Sequence, residues 1–222
     1  MALSKADVNN INVTAVASKA IKFNSGADGF ETGDLGGSMV LIKTVTESNV
    51  SNITFIHGSS DVVFDSTYSL YVIKLINCKP ASGANLKWNT TTDGSNFNVV
   101  VTNTTFVAEH SENDSSVARL TYSTGYDDAQ AADPYLAIIN KGGYNTGADA
   151  SGSGEIKIFN PSSTTFVKHY MSRINGMSEY PGSSDCYTAG YFNTTSALTG
   201  FRIEALSQNI TGTVKLYGIK DS

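Results

Sequence analysis

The sequence predicts an all-β protein: an antiparallel β-sandwich, jelly-roll-like, with a short N-terminal arm. Three observations predict it. Apolar and polar residues alternate in about a dozen short runs, the two-residue period of strands with one buried face. Clusters of Gly, Asn, Asp, Ser and Pro separate those runs. Helix signals are nearly missing, so strand follows strand without the crossovers a parallel sheet needs.

Residues 1–37 read as the arm or lead-in. "VNNINVTAVASKAIKF" holds one or two weak strands, and "FNSGADGFETGDLGGS" leads through Gly33-Asp34-Leu35-Gly36-Gly37 into a body spanning 38–222. The body's strands are "SMVLIKTVT" (38–46), "SNITFI" (51–56), "YSLYVIKLIN" (68–77), "NLKWN" (85–89) and "NFNVVVTNTTFVAEH" (96–110). "VARLTYS" (117–123), "YLAIIN" (135–140), "GEIKIFN" (154–160), "TTFVKHYMSRI" (164–174) and "DCYTAGYFN" (185–193) continue the series. In "DDAQAADPYL", Asp127 or Asp128 can cap a single helical turn that Pro134 ends. The Gly- and Ser-rich stretch 141–155 reads as an exposed, mobile loop. At the close, Phe201, Ile203 and Ala205 alternate with Arg202 and Glu204. After the turn Ser207-Gln208-Asn209, Val214 and Leu216 share a face of a second strand, so 201–219 reads as a hairpin forming the closing edge of the sandwich.

Composition excludes several function classes. Only 16% of the 222 residues are charged and the net charge is −5, so no basic face is offered to nucleic acid. No run approaches the ~18 apolar residues that span a membrane as a helix, and "MALSKADVNN" lacks the apolar core of a signal peptide. Synthesis in a cytosol is the expectation, with Cys78 and Cys186 as buried free thiols.

Triad catalysis needs a base beside a nucleophile and an orienting group. The three histidines, His57, His110 and His169, are scattered, and His169 shares a strand face with Val167 and Met171 as a half-buried structural residue. Two distant cysteines do not make a zinc site. Oxygen-rich turns at Asp93-Ser95-Asn96 and Glu109-Glu112-Asn113-Asp114 suit strand connections and complete no EF-hand. A non-enzyme with no cofactor and no metal follows. Aromatics are the remaining signal, with 11 Tyr, 10 Phe and 1 Trp. Tyr122, Tyr126 and Tyr144, with Asp127 and Asp128, form a candidate glycan or receptor surface, because sugars take ring faces and directed acceptors together.

The runs "STYSLYVIKLINCKPASGANLKWNTTTDGSNFNV", "NPSSTTFVKHYMSRINGM" and "AGYFNTTSALTGFRIEALSQNITGTVKLYGIKDS" resemble small tail-fibre or virion structural proteins of tailed bacteriophages, marine ones especially. The likeness covers roughly 38–222, and the closing "GTVKLYGIK" is its most family-like element. The resemblance implies a non-enzymatic virion component, trimeric, made in the host cytoplasm and contacting other virion proteins. A tail-fibre or fibre-tip module acting in host attachment is the leading expectation. A capsid decoration protein and a carbohydrate-binding adhesin are the alternatives. The edge candidates "TVKLYGI" and "MVLIKTV" carry one lysine each, which marks them for pairing with a neighbour. Phe201, Ile203, Val214, Leu216 and Tyr217 are the expected subunit contact, joined by the arm. Leu70 and Val72 lie on one side of their strand and Tyr71, Ile73 and Leu75 on the other, so the second face is expected to need a cover from outside the sandwich.

Overall fold

The computed structural model describes residues 13, 14, 16, 19–33, 37–132, 135–137 and 143–221. They belong to two compact units, Met1–Ser38 and Met39–Ser222. The first holds one hairpin, β1 (Ala20–Phe23) and β2 (Phe30–Gly33). Phe23 stacks on Phe30 at 4.9 Å, and Lys22 pairs with Glu31 at 3.1 Å. Residues 34–36 of the expected linker lie outside the described residues.

The second unit is the expected sandwich. Its strands are β3 (Met39–Val50), β4 (Asn52–Ile56), β5 (Leu70–Pro80), β6 (Leu86–Thr91), β7 (Val101–Ser111), β8 (Ala118–Tyr122) and β9 (Ala129–Ala131). β10 (Tyr135–Ala137), β11 (Gly152–Phe159), β12 (Lys168–Met177), β13 (Gly182–Phe192), β14 (Gly200–Ala205) and β15 (Ile210–Ile219) complete it. Residues 138–140 of the strand expected over 135–140 lie outside the described residues. A nine-stranded sheet runs β3-β15-β5-β11-β12-β13-β7-β8, with β9 also on β7, and a four-stranded sheet runs β10-β6-β14-β4.

Alternation fixes which side chains meet between the sheets. From the large sheet come Tyr71, Ile73 and Leu75 of β5, Ile156 and Ile158 of β11, and Val214 and Leu216 of β15. From the small sheet come Trp88, Phe55, Phe201 and Ile203. Trp88 stands edge-on to Tyr170 and Phe192, both at 5.1 Å, and Phe55 stacks on Phe201 at 4.8 Å. Farther along the same inner face, β12, β13 and β7 turn polar: Thr105 bonds Thr188 at 3.1 Å, and the buried Glu109 holds Arg119 at 2.7 Å.

Five expectations are corrected. The closing hairpin is not a hairpin and not an edge. β14 pairs with β4 and β6 in the small sheet, while β15 pairs with β3 and β5 in the large one. The turn at Ser207 therefore carries the chain across the sandwich. Phe201, Ile203, Val214 and Leu216 are completely buried in the core, so they have no surface to offer a second subunit. Tyr217 alone of that set is half-buried on the outer face, in register with Val72 and Leu41.

The expected helical turn opening at Asp127 or Asp128 is a 3-10 turn over Thr124–Tyr126 instead, and Asp127 follows it in extended conformation. Pro134 lies outside the described residues. The loop expected to be exposed over 141–155 is anchored in its described part: Tyr144 is wholly buried, Asn145 N–H donates to the Met177 carbonyl at 3.0 Å, and β11 opens at Gly152. Residues 141 and 142 lie outside the described residues. Finally, Val72 on the outer face is only 1% exposed within one chain. Its register neighbours are Lys157 and Tyr217, long side chains whose stems can shelter it.

Candidate functional site on the outer face of the large sheet

The register of the large sheet lines up one residue from each strand across its outer face. One such row reads Tyr122, Phe106, Tyr187, Arg173, Glu155, Lys74, Lys215, Thr44 from β8 to β3. Phe106 and Tyr187 stack at 4.7 Å and 6°. The Arg173 guanidinium lies 4.9 Å from the Tyr187 ring centre and is clamped by Asp185 at 2.7 Å. Glu155 continues the row, with Lys157 at 2.8 Å and Lys74 at 3.2 Å. The hydrogen bond from Lys157, helped by Lys74, holds the Glu155 carboxyl below its ordinary range. From Phe106 to Lys74 the row is thus an aromatic rib that passes into an ion ladder.

In the next row along the strands, Thr104 and Ala189 are low and Met171 stands up beside them. Beyond it, Thr102, Tyr191 and His169 form a second rib, with the last two rings edge-on at 6.0 Å. Tyr187 and Tyr191 are four residues apart on β13, so the ribs stand about 13 Å apart at 3.3 Å per residue. Beside the second rib lies an open trench of about 480 Å³, floored by Ala189 and Thr104 and walled by Met171, Phe159, His169 and Tyr191; no residue of the first rib lines it. A second cleft, about 630 Å³, opens at the end of the sandwich around Asn49, Gln208 and Asn209. Its charges are mutually satisfied: Glu204 takes both Lys87 at 3.1 Å and Arg202 at 3.0 Å.

The sequence-predicted surface is only partly assembled. Tyr122 is 59% exposed, and its hydroxyl donates to Asp127. Asp127 also accepts from the Thr105 N–H at 2.8 Å, standing in for a strand carbonyl where β8 has ended and β9 has not begun. Asp128 fills the same gap through Asn103: its N–H donates to Oδ1 at 2.8 Å, and its carboxylate accepts from Nδ2 at 2.7 Å. Both aspartates are therefore structural. Tyr126 is half-buried against Val107 and Cys186, away from Tyr122's face. Tyr144 is corrected outright. It sits in the core at 0% exposure, and burial pushes its phenol well up.

His169 departs from expectation in the other direction: it is exposed, on the trench wall. His57 accepts from the Phe64 N–H at 3.2 Å, and His110 pairs with Asp114 at 3.1 Å. Asp93 is consumed by its own turn, accepting from the Ser95 and Asn96 N–H groups at 2.8 Å each. Among the described residues no three His, Cys, Asp or Glu side chains are gathered for a metal. Both cysteines are free and buried, and burial pushes Cys78 up to about 11.

Phe106, Tyr187, Ala189 and Tyr191 went unrecognised in the sequence. Their common parity within "TTFVAEH" and "DCYTAGYF" places each on one strand face, but which strands lie side by side is a matter of topology. Comparison with known protein families, curated proteins and solved structures gives no match.

Proposed function

We propose that the protein is a non-enzymatic structural module of a tailed-bacteriophage particle, a tail fibre or fibre tip acting in host attachment. One observation carries this beyond the family resemblance. Set aside β7–β9 and β12–β13, and eight strands remain: β3, β4, β5, β6, β10, β11, β14 and β15. Counted in chain order, they pair as 1-8-3-6 in one sheet and 2-7-4-5 in the other. That order supports a jelly-roll reading, an architecture that recurs in viral capsid and lectin domains. The extra strands all widen one sheet, and they carry both ribs and most of the trench. Surface spent this way suits a part that touches something outside itself.

Electron microscopy of intact virions labelled with antibody to this chain tests the reading, with label expected at the tail or fibre tip. Absence from purified particles would overturn it. The decoration alternative is favoured by one feature, the edge strand β3, whose Met39 and Leu41 are 45% and 51% exposed. Such a strand can extend a neighbour's sheet. A copy number matching the capsid lattice would favour decoration, and a few copies per tail would favour the fibre.

A further inference from the structure

We propose that the trench beside the Tyr191–His169 rib binds a neutral hexose unit of a surface polysaccharide. The proposal rests on the host-attachment reading and names the ligand class for it. A volume of about 480 Å³ falls within the usual span of small-ligand sites. Small residues make the floor, so a ring can lie against the sheet there, while Tyr191, His169 and Phe159 supply apolar and aromatic wall for a sugar's C–H face.

The threonine hydroxyls of the trench are aimed by their partners. Tyr122 must donate its proton to the Asp127 carboxylate, so Thr104 in turn donates to Tyr122, at 3.4 Å, and keeps its lone pairs for a ligand hydroxyl. Thr102 already accepts from Gln130 Nε2 at 2.9 Å and keeps its proton to give. One free acceptor and one free donor beside aromatic walls match a hydroxyl-bearing ring. Among the described residues no Lys, Arg, Asp or Glu lines the trench itself, so no fixed charge there calls for an ionic ligand. Nearly all of these groups stand on β7, β12 and β13, the strands added to the eight-stranded core.

The test is NMR titration of the full chain with methyl glycosides of glucose, galactose, mannose and N-acetylglucosamine, with whole-cell binding in parallel. At least one glycoside is expected to bind with a Kd on the order of 1 mM, shifting the amides of Thr104 and Ala189. Ala189→Trp, which fills the floor from the outer face, should weaken it by about tenfold or more, and Tyr191→Ala by several-fold, with unfolding midpoints unchanged. His169→Ala repeats the measurement should the tryptophan disturb folding. Shifts confined to the Asn49–Asn209 cleft, or no shifts with any glycoside, would overturn the proposal. So would a self-associating chain that Ala189→Trp dissociates, because the trench would then be a subunit contact. Host-cell binding that survives every trench variant would sink the hexose site while leaving host attachment standing. Absence of the chain from virions would sink attachment itself.

Discussion

Tyr144 carries a buried hydroxyl with no hydrogen-bond partner among the described residues. Its ring occupies space that Gly152 leaves open, since a Cβ there would lie 2.5 Å from the hydroxyl oxygen. Removing an unsatisfied buried hydroxyl is favourable, whereas removing the ring opens a cavity. Tyr144→Phe should therefore raise stability by about 1 kcal/mol, and Tyr144→Ala should lower it by about 3–5 kcal/mol, both read from urea midpoints. A phenylalanine variant clearly weaker than the parent would mean the hydroxyl has a partner. Asp93 supplies a pH test of opposite character. Hydrogen bonds from Asn96 first, then from Ser95 and Thr91, hold its carboxyl well below the usual range. A depressed folded-state pKa contributes stability that is complete above the unfolded value of about 3.9 and lost as pH falls through the folded one. Asp93→Ala should flatten that part of the stability–pH curve below about pH 4, and an unchanged slope would show that other carboxylates set it.

Between β8 and β9 the edge of the large sheet is held by side chains in place of a strand. Asp127→Ala removes the acceptor of the Thr105 N–H, and Asn103→Ala removes both side-chain bonds to Asp128 while its backbone bond stays. Either change should speed amide exchange across 118–131 by about tenfold while β5 and β15 stay protected, because opening there is local. Phe201→Ala separates the two roles considered for β14. As a core residue it should cost about 3–5 kcal/mol of stability at every protein concentration, whereas a contact residue would show its effect only through assembly. Strand positions were legible because burial on one face imposes a two-residue period, and nearly every expected run became a strand. The partnership of β14 and β15 was not legible. Short strands joined by a tight turn read as a hairpin whether the turn stays in one sheet or crosses to the other. Tyr144 misled for a related reason: composition marks 141–155 as loop, and only tertiary space reveals a ring folded inward. Asp127 and Asp128 were read as the cap of a turn and as acceptors for a glycan, yet the bonds they complete are with a strand more than 20 residues earlier.

At the scale of the whole molecule, the assembly expected from the family resemblance remains a proposal with a narrower set of contacts. A homotrimer cannot use Phe201, Ile203, Val214 or Leu216, all of which are consumed by the core. Met39 and Leu41 on edge strand β3 are among the exposed apolar residues that remain to carry it. Sedimentation of the full chain should give a trimer that Leu41→Glu shifts toward monomer, while a parent monomer at micromolar concentration would end the trimer proposal. The crossing from β14 into β15 has a further consequence, one of timing. β15 lies between β3 and β5, and its Thr213 meets a Thr46 made 167 positions earlier. At ordinary translation speeds that interval is roughly 10–30 s. For most of it, β3 and β5 have both been made without the strand that joins them. The nascent chain must wait, sticky and half-paired, for residues 210–219 to close the sheet between its two halves. A chain that stops before that point lacks the strand joining β3 to β5, and its large sheet stays open between the two.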